Sequence, residues 1–310
     1  MFSLKGKRVY VAGHTGMVGR ALRRRLATED CINLHTERAQ VDLLQQASVQ
    51  AWFKQAKPEV VFVAAAKVGG IEANRRFPAT FLYENLLIAS NIIQAAYENA
   101  VEKLLFLGSS CIYPRDCVQP ISEEALLTGP LESSNEGYAI AKIAGLKLIQ
   151  TYRQQYGCDF ISCMPTNLYG PYDHYDLQNS HVLPALLHKI HSAKKEHQKT
   201  VTLWGTGTPK REFLYVDDLA DACIYLMKHY SDALSINVGV GEDLSIRALA
   251  EKIAQLVDYQ GTFVFDTSMP DGTPRKCLDI HRLRTLGWEA QTDLWTGLHL
   301  TYDDYQRRIS

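Results

Sequence analysis

Short apolar runs alternate with longer amphipathic stretches through the first half of the chain. We predict the apolar runs to be strands, at residues 8–12, 32–35, 59–64, 103–107 and 160–164. The stretches between them have helical periodicity, at residues 17–28, 47–55, 80–98 and 139–156. Strands that are almost continuously apolar, joined by helices, are typical of a parallel sheet covered on both faces. The pattern predicts an α/β fold with a doubly wound parallel Rossmann sheet.

The rhythm becomes irregular after Pro165. A loop at 169–180 precedes a helix at 184–195 and a tract rich in Gly and Thr at 204–211. We therefore predict two domains, with the Rossmann sheet in 1–165 and a smaller C-terminal α/β lobe that takes up most of 166–310. The segments near 213–240 again read as helix and strand, and we expect them to return to the first sheet.

Composition and charge narrow the class of protein. The chain has 310 residues with 46% hydrophobic and 22% charged residues, which is typical of folded globular proteins and argues against disorder. The 33 Lys+Arg nearly balance the 34 Asp+Glu, so no basic field attracts nucleic acid or an anionic membrane. The longest purely apolar stretch, residues 60–66, is far shorter than a membrane-spanning helix.

Cysteine spacing and the N-terminal residues indicate the compartment. The seven cysteines form no Cys-x-x-Cys pair, and the chain starts without an apolar signal core. We expect a protein of the reducing cytoplasm. No His or Cys spacing typical of a metal ligand set is present, and we predict no metal site.

A glycine motif directly follows the first predicted strand and opens the first predicted helix. Its glycines are Gly13, Gly16 and Gly19. In this context, Gly13 allows a tight turn, Gly16 lets backbone N–H groups approach a pyrophosphate, and Gly19 allows the helix to pack closely on the strand. The motif predicts a dinucleotide site, the alternative being a plain glycine turn.

The end of the second predicted strand carries the signal for the type of dinucleotide. Arg38 suits the 2′-phosphate of NADP, whereas Glu37 beside it would repel that phosphate if turned inward. Alternatively, Glu37 and Arg38 form a solvent-exposed ion pair that does not contact a cofactor. Asp42 and Leu43 suit a contact to the adenine edge, although Asp42 could equally be a helix N-cap. On balance NADP(H) is the predicted cofactor.

A tyrosine and a lysine four residues apart supply the first catalytic signal. Tyr138 and Lys142 share one helix face, and Ser109 lies at the end of the fourth predicted strand. An ammonium next to a phenol lowers the phenol's pKa towards the range useful for proton transfer to a carbonyl. Ser109 could donate a second hydrogen bond to the same oxygen. Together with the glycine motif, these residues favour a reductase over a pair of surface side chains.

This combination resembles the extended short-chain dehydrogenase/reductase superfamily, which pairs the glycine motif with a Ser/Thr–Tyr–Lys triad. Five further strings, spread over nearly the whole chain, resemble the GDP-L-fucose synthase family. They are AAAKVGG (64–70), GSSCIYP (108–114), PTNLYGP (165–171), NSHVLP (179–184) and PDGTPRK (270–276).

The resemblance implies a two-stage reaction. In the family, GDP-4-keto-6-deoxy-D-mannose is inverted at C3 and C5 and then reduced at C4 by NADPH, giving GDP-L-fucose. It also implies that Cys111 and His181 are the acid–base pair of the inversions, which suits the pKa ranges of a thiol and an imidazole. From the residues alone, Cys111 could equally be a buried small hydrophobe, and His181 a capping or core-edge residue.

The remaining binding positions come from the resemblance as well. It implies cofactor contacts at Gly13, Gly16, Met17, Gly19, Arg38, Asp42, Leu43, Lys142, Pro165, Leu168 and His181. It implies contacts to the GDP-sugar substrate at Asn167, Val182, Lys189, Trp204, Arg211 and Lys276, with Trp204 as a core residue the alternative. Two departures stand out, since many members have arginine near Lys189 and some have arginine at Thr15. The superfamily further implies a homodimer packed through the helices near 80–98 and 139–156.

Three other functions remain in competition. A nucleotide-sugar 4,6-dehydratase or single-step 4-epimerase has the same scaffold, but the dehydratases place an acidic pair where this chain has Ser110 and Cys111. An epimerase/reductase for a GDP-colitose or GDP-heptose precursor would need nearly identical machinery. A non-catalytic dinucleotide-binding scaffold would not need the triad.

Overall fold

A parallel sheet lies at the centre of the computed structural model, which describes residues 1–36, 40–177, 180–269 and 271–309. Within these residues the sheet has six strands: β1 (Arg8–Ala12), β2 (Ile32–Leu34), β3 (Val60–Val63), β4 (Lys103–Leu107), β5 (Asp159–Pro165) and β10 (Ile236–Val238). Their order is β10-β5-β4-β3-β1-β2, and all neighbours are parallel. The predicted parallel Rossmann sheet is confirmed.

Helices cover both faces of this sheet and build the C-terminal part of the chain. In chain order they are α1 (Met17–Leu26), α2 (Gln46–Ala56), α3 (Ile71–Arg76), α4 (Pro78–Glu98), α5 (Glu136–Tyr156), α6 (Val182–Lys195), α7 (Val216–His229), α8 (Ile246–Val257), α9 (His281–Thr285) and α10 (Leu294–Ile309). None of the helices in the described ranges has the length and apolarity needed to cross a membrane.

The remaining strands form small sheets after residue 165. They are β6 (Asn167–Tyr169), β7 (Thr200–Trp204), β8 (Lys210–Arg211), β9 (Phe213–Tyr215), β11 (Leu244–Ser245), β12 (Thr262–Asp266) and β13 (Arg275–Lys276). β6 pairs with β9 and β7 with β12, both in parallel. β8 lies between β11 and β13, so that Arg211 and Lys276 are neighbours across the β8–β13 pair.

Separate apolar cores explain why these elements stay together. One face of the central sheet packs on α1 and α7, and the other on α2, α4 and α5. A third core joins α6, α8 and α10 to β7 and β9. A fourth, with Ile112, Ile143 and Leu278 among its members, lies beneath the turn that follows β4. Burial of this apolar area is the main stabilising contribution.

Two segments differ from the elements that the sequence predicts. One differs in where its helix begins, and the other in that it divides into a strand and a helix. α4 begins at Pro78 rather than residue 80, because proline suits the first helical position, where no N–H partner is required. The segment 213–230 is not one helix. It divides into β9 and α7, since Phe213, Leu214 and Tyr215 are buried extended residues that pair with β6.

Candidate active site

The glycine loop between β1 and α1 has the geometry of a dinucleotide cradle. Gly13 has a φ of +86°, and a Cβ there would lie 2.7 Å from the backbone of Ala65. Gly16 is the N-cap of α1, where a Cβ would meet only the Gly13 carbonyl at 3.6 Å. The structure thus bears out the tight turn at Gly13 and leaves the backbone open at Gly16, with Met17 as the first residue of the helix.

Ser109 stands at the carboxyl end of the sheet, two residues after β4. Its Oγ accepts a hydrogen bond from the backbone N–H of Cys111 at 3.3 Å and thereby caps the short 3₁₀ turn of residues 110–112. The Ser109 hydroxyl also lowers the pKa of both the Tyr138 phenol and the Cys111 thiol. One hydroxyl therefore acts on both the phenol and the thiol.

Tyr138 and Lys142 lie one turn apart on α5, as their spacing predicts. The Lys142 Nζ donates to the Leu107 carbonyl at 2.7 Å and lies 5.8 Å from the centroid of the Tyr138 ring. Burial lowers the pKa of Lys142 to about 8 and raises the pKa of Tyr138. The expectation that the Lys142 ammonium sets the pKa of the Tyr138 phenol is wrong. Burial has the largest effect, the charge of Cys111 acts in the same direction, and the Ser109 hydroxyl is what lowers the phenol's pKa.

Cys111 is buried, but it does not lie in a remote part of the core. Its thiol is only 6% exposed, and burial raises its pKa. The charges that act on it in the opposite direction come from Lys276 and Lys142, and its bond to Ser109 has the same effect. The sulfur therefore shares a site with the triad, which distinguishes it from a cysteine that only fills space.

His181 lies at the edge of the same site as the N-cap residue of α6. The residue is exposed to water, and desolvation by the surrounding protein, followed by the charge of Lys276, lowers the pKa of its imidazole. The side chain makes no capping hydrogen bond, so the alternative of a capping histidine is wrong.

Basic side chains that were predicted to bind the substrate lie on elements of the C-terminal part of the chain. Arg211 and Lys276 are both half-buried neighbours on β8 and β13, and an Arg211 Nη2 lies 3.4 Å from the Asp271 carbonyl. Lys189 on α6 lies 5.4 Å from the ring centroid of Trp204. Trp204 is 44% exposed, so its reading as a core residue is wrong.

Asn167 and Val182 are the two remaining predicted substrate contacts. In the chain they follow the triad and precede the basic residues and Trp204. Asn167 is the first residue of β6, and its Nδ2 donates to the Glu212 carbonyl at 2.9 Å. Val182 is the first residue of α6, next to His181. Both side chains are half-buried.

The predicted cofactor residues outside the glycine loop are only partly tested. Arg38 lies outside the described residues. Asp42 is not a helix N-cap, because α2 begins at Gln46 with Gln45 as its cap. Its carboxylate instead accepts from the Leu44 N–H at 3.0 Å. Leu43 follows it with a half-buried side chain, and its carbonyl accepts from Asn91. Pro165 is buried at the end of β5, and Leu168 packs against the central core from β6.

A basic cavity beside this region was missed from the sequence. It has a volume of about 380 Å³ and is lined by Arg20, Arg23, Arg24, Ala27, Asn33, His35 and Tyr172. Burial lowers the pKa of both His14 and His35, and the charge of Arg23 lowers them further. The Arg23-Arg24-Arg25 run was the available signal, but a basic run is also typical of a helix C-terminus.

Glu212 was also missed, and its carboxylate joins the segment after β10 to the segment after β13. Its side chain is fully buried and accepts from the backbone N–H groups of Val240, Gly241 and Leu278 at 2.6, 2.8 and 2.8 Å. Its own N–H donates to the Lys276 carbonyl. No sequence motif distinguishes such a carboxylate from a surface one.

Comparison with known proteins shows the family to which this chain belongs. Residues 9–239 match the family described as the NAD dependent epimerase/dehydratase family. A GDP-L-fucose synthase of Sinorhizobium fredii is 53% identical over 100% of this chain and 99% of its own length. The chain belongs to the GDP-L-fucose synthase group of this family.

Other members of the family act on related sugars. A GDP-L-colitose synthase of Yersinia pseudotuberculosis is 39% identical over 95% of this chain and 96% of its own. Among solved structures, a GDP-6-OMe-4-keto-L-xylo-heptose reductase from C. jejuni has a TM-score of 0.93 and 35% identity over 98% of both chains. A GDP-L-fucose synthetase from Naegleria fowleri bound to NADP has a TM-score of 0.91 and 28% identity, covering 99% of this chain and 97% of its own.

Proposed function

We propose that this protein converts GDP-4-keto-6-deoxy-D-mannose to GDP-L-fucose, by inversion at C3 and C5 followed by NADPH-dependent reduction at C4. One observation carries the proposal. The Ser109 hydroxyl accepts from the backbone N–H of Cys111, and it lowers the pKa of both the Tyr138 phenol, which belongs to carbonyl reduction, and the Cys111 thiol, which reduction alone does not need. The relationship to GDP-L-fucose synthases over the full chain supports it.

Inversion requires an acid and a base next to a stabilised oxyanion. C3 and C5 both adjoin the C4 ketone, so loss of either proton places negative charge on the carbonyl oxygen. Ser109 and Tyr138 would donate hydrogen bonds to that oxygen, which strengthen as the charge develops. Cys111 would remove the carbon-bound proton as a thiolate, and His181 would return a proton on the opposite face. The thiol and imidazole then regain their starting states by exchange with water, so solvent hydrogen enters C3 and C5.

Reduction reuses the same two hydroxyl groups. The Tyr138 phenol would protonate the C4 oxygen, while Ser109 holds that oxygen in place. Lys142, bound to the Leu107 carbonyl, would support the charge that the phenol acquires. Ser109 would serve both half-reactions. The C4 carbonyl oxygen would therefore keep Ser109 and Tyr138 as its donors while the sugar turns between inversion and reduction.

The residues of the glycine loop fit NADP(H). When bound, this cofactor supplies the hydride for C4. Gly13 has no room for a side chain against Ala65, and the N-terminus of α1 at Gly16 and Met17 is open to a pyrophosphate. Lys142, Pro165, Leu168 and His181 would line the nicotinamide half. Asp42 and Leu43 would adjoin the adenosine half, with Arg38 towards its 2′-phosphate.

The nucleotide sugar would bind across the second, smaller part of the chain. Arg211, Lys189 and Lys276 offer positive charge to a diphosphate, and Trp204 offers an exposed ring beside Lys189. Asn167 and Val182 would contact the sugar. In this arrangement residues 1–165, with the returning segments near 213–240, hold the cofactor, and 166–310 mainly hold the substrate.

Compartment and assembly are further parts of the proposal. All seven cysteines are free thiols, and a catalytic thiolate needs a reducing compartment such as the cytoplasm. A homodimer would form through α4 and α5, which carry the exposed apolar side chains of Tyr83, Tyr97, Ile140 and Tyr156.

Product analysis tests the function directly. Purified protein is incubated with GDP-4-keto-6-deoxy-D-mannose and NADPH, and the product is identified by NMR. GDP-L-fucose is the expected product. Turnover of a 3,6-dideoxy or heptose substrate in preference to this one would assign the chain to the colitose or heptose enzymes, and absence of NADPH oxidation with all of them would end the proposal.

A further inference from the structure

Glu212 lies at the joint between two small sheets. It directly follows β8, which pairs with β13, and directly precedes β9, which pairs with β6. Its N–H donates to the Lys276 carbonyl at 3.2 Å, and its carbonyl accepts from the Asn167 Nδ2 at 2.9 Å and from the Thr166 Oγ1 at 3.3 Å. The Glu212 backbone therefore adjoins three predicted substrate contacts, since Arg211 is its neighbour in the chain.

The Glu212 carboxylate binds backbone N–H groups from two other segments. Its Oε1 accepts from Val240 at 2.6 Å and from Gly241 at 2.8 Å, just after β10 of the central sheet. Its Oε2 accepts from Leu278 at 2.8 Å, two residues after Lys276. The residue is fully buried, and a donor that loses its acceptor in the interior is unfavourable. The carboxylate therefore holds β8, the end of β10 and the end of β13 at fixed distances from one another.

Gly239 leaves the space that this carboxylate occupies. A Cβ at Gly239 would lie 2.1 Å from Oε1 and 2.8 Å from the carboxyl carbon of Glu212. Because only a residue without a Cβ permits so close an approach, the backbone after β10 is shaped around the Glu212 side chain.

The segment after β13 has a second anchor that does not involve Glu212. The Ile121 N–H donates to the Cys277 carbonyl at 2.8 Å, and the Asp279 N–H donates to the Ile121 carbonyl at 2.9 Å. The buried Asn237 of β10 donates through its Nδ2 to the carbonyls of Ile121 and Asp279, at 2.9 and 3.1 Å. Loss of the Glu212 carboxylate should therefore release β8 and the start of β6, while the segment after β13 stays attached to the central sheet.

We propose that Glu212 is a positioning residue for the GDP-sugar, whose carboxylate fixes β8 and the start of β6 against β13 and the central sheet. This role rests on the proposed function, because it acts through Asn167, Arg211 and Lys276. Arg211 and Lys276 are direct neighbours across the parallel β8–β13 pair, so their side chains lie on one face. A binding site needs its groups held within about 0.5 Å of the productive geometry.

Calorimetric titration with GDP and, separately, with NADPH distinguishes this role from general stabilisation. Glu212→Gln keeps the shape of the side chain, but it offers only one acceptor oxygen and directs an NH₂ group at an N–H donor. We expect its Kd for GDP to rise about 10- to 100-fold, because a small displacement of the binding groups has an effect of this size. Its Kd for NADPH should stay unchanged, since the glycine loop lies on β1 and α1. Glu212→Asp, which keeps both oxygens on a shorter side chain, should show a smaller rise for GDP.

A second variant and a control use other residues. Gly239→Ala keeps the Glu212 carboxylate but displaces it, and it should weaken GDP binding with the same selectivity. Asp218→Asn is the matched control. Asp218 is a buried acid of α7 that accepts from the Thr292 N–H at 2.8 Å, and it joins α7 to the segment before α10. This variant should leave the Kd for GDP in place.

Two results would overturn the proposal. One is an unchanged Kd for GDP in both Glu212→Gln and Gly239→Ala. The other is an equal loss of GDP and NADPH binding, or an equal rise in Asp218→Asn, because Glu212 would then only stabilise the fold. If Glu212→Gln loses its circular dichroism signal, Glu212→Asp takes its place in the same comparison.

The titrations also separate this inference from the proposed function. If the unmodified protein binds GDP but forms no GDP-L-fucose, the proposed function fails, and the Kd values of the variants still decide the role of Glu212. If the product forms but the variants bind GDP normally, only the role of Glu212 fails. Absence of GDP binding by the unmodified protein would overturn both.

Discussion

Replacement of Ser109 by alanine should damage both half-reactions at once. Its hydroxyl lowers the pKa of both the Tyr138 phenol and the Cys111 thiol, and its Oγ caps the turn that carries Cys111. Removal of one donor that faces a developing oxyanion lowers kcat about 100- to 1,000-fold. We expect a loss of this size in reduction, because the C4 oxygen retains only the phenol.

The loss in inversion should be at least as large. Ser109→Ala removes the same donor from the enolate oxygen, and it also removes a hydroxyl that lowers the pKa of the Cys111 thiol. The fraction of thiolate at neutral pH then falls as well, by about tenfold for each unit of pKa.

Two assays distinguish the half-reactions. Reduction is followed by NADPH absorbance, and inversion by deuterium incorporation into the keto sugar in D₂O with NADPH omitted. Ser110→Ala is the matched control, since Ser110 is the adjacent buried hydroxyl. If Ser109→Ala lost reduction but kept normal deuterium incorporation, the shared role of this hydroxyl would be refuted.

Four further outcomes follow from the same site. Tyr138→Phe should lower reduction by about 100-fold or more through loss of the proton donor, and near-normal NADPH oxidation would contradict its role. Cys111→Ser should stop deuterium incorporation at C3 and C5, since a hydroxyl is a far weaker acid than a thiol, whereas unchanged exchange removes Cys111 as the base. Deuterium incorporation by the unmodified protein should rise with pH through neutrality, because burial raises the thiol's pKa, and a flat profile argues against a thiolate base. NADPH should bind more tightly than NADH, and Arg38→Ala or Arg23→Ala should reduce that preference about tenfold or more, as measured by calorimetry at fixed salt.

The fold and most site positions could be predicted because their signals are local. Parallel strands read as apolar runs, and Gly13, Gly16 and Gly19 follow the first of them at fixed spacing. Tyr138 and Lys142 share a helix face by spacing alone. The deciding step for Cys111 and His181 was resemblance, since a buried cysteine and a helix-start histidine have ordinary structural explanations.

What could not be predicted depends on contacts between distant parts of the chain. The sequence places Lys142 near Tyr138, but only the fold shows that the ammonium donates to Leu107 and that burial governs the phenol. Glu212 has no local motif, yet it receives backbone N–H groups from residues 28 to 66 positions away. The pairing of Lys276 with Arg211 across β8 and β13 joins residues that are far apart in the chain, and no pattern within either segment indicates it.

The chain origin of these groups has a mechanistic consequence. Ser109, Tyr138 and Lys142, which reduction requires, all come from β4, the turn after it and α5, packed against one sheet. Inversion adds His181 from α6. The proton-transfer groups of reduction therefore all come from elements around the central sheet, whereas those of inversion also depend on the distance between that sheet and α6. Perturbations that loosen the C-terminal part, such as loss of the buried Glu212 carboxylate, should slow deuterium incorporation more than they slow reduction of a ketone already inverted.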